Sequence, residues 1–163
     1  MCSDTLRDVM RINAGCCPDK IALICEGQTR TFAQLNERVN RLVNALYGAG
    51  LRKGDRLGII SSNRIEFAEC YGAAEKGGFI AVPLNIKQHP SEIAYIVENA
   101  GVSIIVAEGS YLSRVEGLPV SRIYVFRPEG DAPSTYEQLV ESGSPAEPDV
   151  PIEPHNVVYM MYT

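Results

Sequence analysis

Apolar positions along the chain alternate between short continuous runs and stripes of three-and-four spacing. Ile21-Ala-Leu-Ile-Cys25, a turn at Glu26-Gly27 and then Thr29 to Thr31 predict a β-hairpin. Thr31-Phe-Ala-Gln34 has the spacing of a capping box, in which a hydroxyl and an amide satisfy the free backbone groups of a helix start. Phe32, Leu35, Val39, Leu42, Val43 and Leu46 follow on one helical stripe, which Gly48 and Gly50 end. Arg56 to Ile60 is a short apolar strand. Ser61-Ser62-Asn63 then supplies a helix cap, with Glu66 as its partner at the third helical position. This helix carries Phe67 and Tyr71 and stops at Gly77-Gly78.

Phe79-Ile-Ala-Val82 reads as a second buried strand running into Pro83, and Pro90 to Ala100 as a helix with Ile93, Ile96 and Val97 inward. Ser103 to Ala107 and Arg122 to Phe126 are two more strands. Thr135-Tyr-Glu-Gln138 is a second capping box, and a Pro-rich loop from Ser144 to Pro154 leads to Val157-Val-Tyr-Met-Met-Tyr-Thr163, read as a fully buried strand. Strands apolar throughout, alternating with helices, predict an α/β fold. The expected architecture is a doubly wound, mainly parallel sheet with helices on both faces, plus an N-terminal β-hairpin. In such sheets the ligand crevice lies outside the carboxyl ends of the strands.

Composition narrows the class. The 163 residues suit one domain, and 45% hydrophobic with 21% charged residues is the balance of a soluble globular chain. The net charge of −5 is dispersed with no basic block, which argues against nucleic-acid binding. The start, Met1-Cys2-Ser3-Asp4, has no signal-peptide pattern, and no apolar run is long enough for a transmembrane segment, so a cytoplasmic location is expected. Five cysteines without a C-x-x-C pair, and two histidines, His89 and His155, predict neither a disulfide framework nor a metal site.

Local motifs reduce to helix ends. Gly48-Ala49-Gly50 with Gly54 closes a helix, whereas a dinucleotide fingerprint opens one after a strand. Gly77-Gly78 precedes a strand and reads as a stop, and His89-Pro90-Ser91-Glu92 places His89 at a helix N-cap. His155 sits in a Pro-bounded loop and is expected to be exposed. No G-x-S-x-G elbow or paired-carboxylate arrangement is present. No catalytic and no metal-binding residue is assigned.

The ordered segments from about Asp19 onward resemble the N-terminal subdomain of the adenylate-forming ligases, the superfamily of acyl-CoA synthetases, luciferases and peptide-synthetase adenylation domains. The resemblance is carried by Thr31-Phe-Ala-Gln-Leu35, Lys53-Gly-Asp-Arg-Leu57, Ser62-Asn-Arg-Ile-Glu-Phe67 and Glu75-Lys-Gly-Gly-Phe-Ile-Ala-Val-Pro-Leu-Asn85. Val157 to Thr163 is similar to the strand that delivers the family's Ser/Thr/Gly-rich ATP phosphate loop, with Thr163 matching its first hydroxyl residue. Val82-Pro-Leu-Asn85 followed by Glu92-Ile-Ala-Tyr95 is more similar to acyl-CoA synthetases than to peptide-synthetase domains. Lys87, where the synthetases commonly have Arg, and His89, where they commonly have Thr or Ser, depart from the pattern.

This resemblance implies that residues 1–163 are an incomplete N-terminal subdomain, with the phosphate loop, the rest of that domain and the C-terminal domain downstream. It implies a parent enzyme that converts a carboxylic acid and ATP to an acyl-adenylate and then, with CoA, to a thioester, using Mg²⁺. Thr163 is the one implied cofactor-binding residue, and the chain alone is expected to be inactive. Another adenylate-forming activity, or a free-standing noncatalytic α/β binding module, is the alternative.

Overall fold

The structure is a computed structural model and describes residues 5–162. A helix, α1 (Leu6–Cys16), precedes the hairpin strands β1 (Ile21–Cys25) and β2 (Gln28–Thr31), which pair antiparallel. The sequence reading did not include α1. Its short stripe of Leu6, Val9 and Met10 leaves none of its residues fully buried, and Met10 packs onto a core built by other elements.

The capping box at Thr31 forms as its spacing predicts. Thr31 N–H donates to Gln34 Oε1 at 2.9 Å, and Gln34 N–H to Thr31 Oγ1 at 3.3 Å. It opens α2 (Phe32–Gly48). Four strands follow: β3 (Arg56–Ile60), β4 (Ile80–Leu84), β5 (Val102–Glu108) and β6 (Arg122–Phe126), with α3 (Ile65–Gly77), α4 (Pro90–Ala100) and α5 (Thr135–Ser142) between and after them. All four strands are parallel, in the order β4-β3-β5-β6.

The pleat sends alternate side chains to opposite faces. Leu57, Ile59, Ala81, Ile104, Val106 and Phe126 face α2, α3 and α5. Ile60, Val82, Leu84, Ile105 and Ala107 face α4. Both faces are therefore covered, and the expected doubly wound layer is what forms. Gly58 lies between two of these positions, where a Cβ would come within 2.9 Å of Val102 Cγ1, so glycine lets β3 lie close to β5.

Two helix starts differ from expectation. The N-cap of α3 is Arg64, with no side-chain cap bond, because Ser62 is drawn instead to the carboxylate of Glu108. The cap of α5 is Ser134, whose hydroxyl accepts from Glu137 N–H at 3.1 Å, while Thr135 Oγ1 accepts from Val125 N–H at 2.7 Å. With Thr135 committed to β6, the box predicted from it does not form.

Residues 157–162 differ more. They run parallel to the outer edge of β4 through a single bridge at Ala81 and Tyr159, with Ala81 N–H donating to Val158 O at 2.8 Å and Met160 N–H to Ala81 O at 2.9 Å. The next rung in this register would need the N–H of Pro83, which proline lacks. The segment is a half-exposed edge and not a fully buried strand, with Val157 57% and Met161 69% exposed.

The Pro-rich loop ahead of it is held by side chains from several elements. Asn40 Nδ2 donates to Pro145 O, Asn44 Nδ2 to Ser144 O and Ala146 O, and Lys53 Nζ to Pro151 O. Lys76 of α3, fully buried, reaches Asn36 Oδ1 (2.7 Å), Asn40 Oδ1 (2.6 Å) and Glu147 Oε2 (2.7 Å). A buried ammonium is tolerated here because acceptors and a carboxylate surround it. No helix among the described residues is long and apolar enough to cross a membrane.

Candidate functional site

The carboxyl ends of all the parallel strands lie along one margin of the sheet. The chain leaves β3 by α3 on one face, whereas β5 is followed by a 3₁₀ turn (Gly109–Arg114) whose Tyr111 and Leu112 pack on the other face. Connections that part to opposite faces open a crevice between those two strand ends. Here the crevice is filled. Glu108, 4% exposed at the end of β5, accepts from Ser62 N–H at 2.9 Å, Ser62 Oγ at 2.7 Å and Arg64 Nε at 3.0 Å.

The hairpin turn covers this group from outside. Glu26 forms an ion pair with Arg64 and accepts from Arg127 Nη1 at 2.9 Å, and Cys25 Sγ donates to Asn63 O at 3.4 Å. Burial alone would raise the Glu108 carboxyl, but the Ser62 hydroxyl and N–H and the Arg64 guanidinium outweigh it and hold it below the ordinary carboxylate range. The cluster therefore serves as a charged plug that fixes the loop after β3.

The open space lies one strand over. A cleft of about 430 Å³ is lined by Ser61, Ser62 and Asn63 after β3, by Pro83 to Ile86 at the end of β4, by Phe67 of α3, and by Met161 and Tyr162. Its walls combine apolar surface with hydroxyl and amide groups, the mix of a small-molecule site. Among the described residues neither lysine nor arginine lines it. The described residues thus form a floor and one wall but do not by themselves hold a triphosphate, and among them no group of three or more His, Cys, Asp or Glu could hold a metal ion.

The edge segment is fixed beside this cleft on both faces. Tyr159 donates its hydroxyl to Glu75 of α3 and lies against Tyr71, ring centroids 4.8 Å apart. Tyr71 in turn stacks on Phe67 at 4.8 Å. Tyr162 donates to Asn99 Oδ1 of α4 at 2.7 Å. Burial raises the Glu75 carboxyl against the lowering effect of the Tyr159 hydrogen bond, and burial with the adjacent carboxylate raises the Tyr159 phenol.

Of the residues singled out from the sequence, Thr163 lies outside the described residues. His89 caps α4: its Nδ1 accepts from Ser91 N–H at 3.3 Å and its own N–H donates to Glu92 Oε2 at 2.7 Å. His155 is exposed beside Glu153, and Lys87 is exposed outside the cleft lining. Gly78 is the left-handed stop of α3, at φ 67°. Sequence reasoning did not find Glu108, Glu75 or Tyr159. The Tyr159 and Glu75 positions lie inside segments it quoted, but nothing local shows that they meet.

A family profile described as AMP-binding enzyme matches residues 10–163. The chain is 40% identical over 111 residues to a crotonobetaine/carnitine–CoA ligase of Salmonella typhimurium, covering 65% of this chain and 22% of the relative. It is 37% identical over 98 residues to a medium/long-chain-fatty-acid–CoA/3-oxocholest-4-en-26-oate–CoA ligase of Mycobacterium marinum, covering 60% and 18%. A fatty acyl CoA synthetase of Mycobacterium tuberculosis superposes with a TM-score of 0.86 at 22% identity, over 98% of this chain and 32% of that one. A long-chain-fatty-acid–CoA ligase of Archaeoglobus fulgidus does so with 0.86 at 21%, over 98% and 34%. The structural likeness establishes a shared fold. The chain spans about a fifth of the length of these curated relatives.

Proposed function

The chain belongs to the AMP-binding enzyme family, and on that premise we propose that it is the incomplete N-terminal subdomain of an ATP-dependent acid–CoA ligase. The parent would join a carboxylic acid to the adenylyl group of ATP with loss of pyrophosphate, then pass the acyl group to the thiol of CoA, with Mg²⁺ neutralising phosphate charge. Two relatives bearing the name of CoA ligase support this reading. The observation that carries it is the course of residues 157–162, which bring the chain to the rim of the cleft beyond β3 and β4 just before Thr163.

In this reading the described residues act as scaffold. Ser61 to Asn63 and Asn85 give the cleft a neutral polar rim, Phe67 gives it an apolar wall, and the Glu108 plug keeps the loop after β3 in place. Thr163 would open the phosphate loop, and the cations that a triphosphate needs would come from downstream. Residues 1–163 alone would therefore be inactive. A cytoplasmic location goes with this reading, and the free thiols of Cys16, Cys17, Cys25 and Cys70 suit a reducing compartment.

The test is acid-dependent exchange of labelled pyrophosphate into ATP by the full-length protein across a panel of carboxylic acids, followed by detection of the CoA thioester. Exchange without thioester formation would move the assignment to another adenylate-forming activity. No exchange with any acid, together with nucleotide binding by residues 1–163 alone, would favour a noncatalytic binding module.

A further inference from the structure

The loop after β3 gathers donors around one anion. Ser62 offers its N–H and its hydroxyl to Glu108 Oε2 at 2.9 and 2.7 Å, Ser61 Oγ lies 3.3 Å from the same oxygen, and Arg64 Nε donates to Oε1 at 3.0 Å. Both carboxylate oxygens are thus met, one by a hydroxyl and a main-chain N–H and the other by a guanidinium, which suits a planar anion with two oxygens. Ser61 and Glu108 are buried, and Glu108 comes from β5, the neighbour of β3 in the sheet. Donors and anion therefore meet across the crevice where open α/β sheets bind ligands.

A second carboxylate shuts the outer side. Glu26 pairs with Arg64 and with Arg127, and these two partners, Glu26 and Arg127, are the non-glycine residues at positive φ among the described residues, at 48° and 47°. Backbone of this kind persists where its surroundings hold it, and clamps over ligands are one such place. The space left beside the clamp, lined by Glu26, Arg64 and Arg127, is about 10 Å³, no more than one water needs.

We propose that Ser61, Ser62 and Arg64 form a carboxylate receptor at the crevice between β3 and β5, which the protein keeps occupied with its own Glu108. Glu108 is then an autoinhibitory contact, because it denies this crevice to acids from outside. Withdrawing its side chain opens the receptor to a free carboxylate of the size of acetate, the fragment that truncation of glutamate to alanine removes. The inference does not depend on the ligase reading, since every donor belongs to the described residues.

The experiment follows thermal unfolding of full-length Glu108→Ala in sodium acetate against sodium chloride, at equal ionic strength and constant pH. The midpoint is expected to rise saturably with acetate, the ratio of folded to unfolded protein gaining about elevenfold at ten times the dissociation constant. Wild type, its receptor filled, shows no such rise, and acetamide, which has the shape of acetate without the charge, gives none in the variant. Glu108→Ala/Ser62→Ala, which loses the hydroxyl donor, binds acetate about tenfold more weakly. No rise in Glu108→Ala, an equal rise in wild type or with acetamide, or an unchanged dissociation constant in the double variant overturns the proposal. Inorganic phosphate is the second anion, and a rise with phosphate that equals or exceeds the rise with acetate overturns the assignment to a carboxylate. Where Glu108→Ala does not fold in chloride, recovery of the folded state in acetate is read instead, with Glu108→Ser as a second variant. Failure of both to fold in acetate overturns the proposal as well.

Discussion

Arg38 meets Glu69 through two parallel N–H donors, Nε to Oε1 at 2.5 Å and Nη2 to Oε2 at 3.0 Å. The Glu69 side chain is fully buried and also accepts from the Tyr136 hydroxyl at 2.7 Å. The same guanidinium holds Glu137, so α2, α3 and α5 meet at one cation. Removing one member of a buried pair leaves the other charge uncompensated, which costs about 3–5 kcal/mol. Arg38→Ala is expected to lose stability on that scale in urea unfolding, and replacing Arg38 and Glu69 together by apolar residues is expected to recover part of it. A loss below about 1 kcal/mol for Arg38→Ala would show that the pair matters no more than a surface bridge.

Gly109 follows β5 where the backbone after β6 passes close by. A Cβ there would lie 2.3 Å from Arg127 O and 2.8 Å from Pro128 Cα, both main-chain atoms. Gly109→Ala must push this loop outward and is expected to cost about 1–3 kcal/mol, as overpacking does. The control is Gly48→Ala in α2, where a Cβ meets nothing within 4 Å. That change is expected to be neutral or to stabilise by about 0.5–1 kcal/mol. Thermal midpoints of the two variants should move in opposite directions or differ clearly in size.

Glu108 gives the fold a dependence on pH with a definite sign. Its folded carboxyl titrates below the unfolded one, since the Ser62 and Arg64 contacts outweigh burial. The unfolded chain thus binds more protons in the acid range. The contribution is complete above the ordinary carboxylate range and is lost as pH falls through the lowered folded value. Stability measured from neutral pH downward should fall less steeply in Glu108→Gln than in wild type. An acid limb unchanged by the substitution would mean that Glu108 does not titrate as its contacts require.

Most of the fold was legible from local pattern. The hairpin, the Thr31 box, the four strands and the His89 cap each depend on residues within a few positions of one another, so spacing alone shows them. The cap of α3 was not legible, because the Ser62 hydroxyl is taken by a carboxylate 46 residues downstream. Lys76 reads in sequence as a basic residue in a last helical turn, yet it is buried under a loop from which Glu147 reaches back across 71 residues. Helix α1 escaped because its few apolar residues complete another helix pair's core and bury none of themselves fully.

The site was legible to a smaller extent. The rule that ligands lie beyond parallel strand ends points to the margin of the sheet where the cleft lies, but the space between β3 and β5 is closed by Glu108, Arg64 and Glu26. Which strand ends stay open is decided by long-range pairs that no spacing reveals. Val157 to Thr163 reads as buried because its composition is apolar, whereas the burial of residues 157–162 is limited by how much of β4 can accept them.

Pro83 also bears on how the molecule behaves among its own copies. An outer strand with a continuous row of N–H groups is a template on which a foreign strand can assemble, and a proline in that row interrupts it. Beyond the rung at Ala81 the margin of β4 lacks a donor at Pro83, so a strand from another molecule would gain little by lying there. The residue that limits backbone pairing of residues 157–162 with β4 thereby also makes this margin a poorer template for a foreign strand.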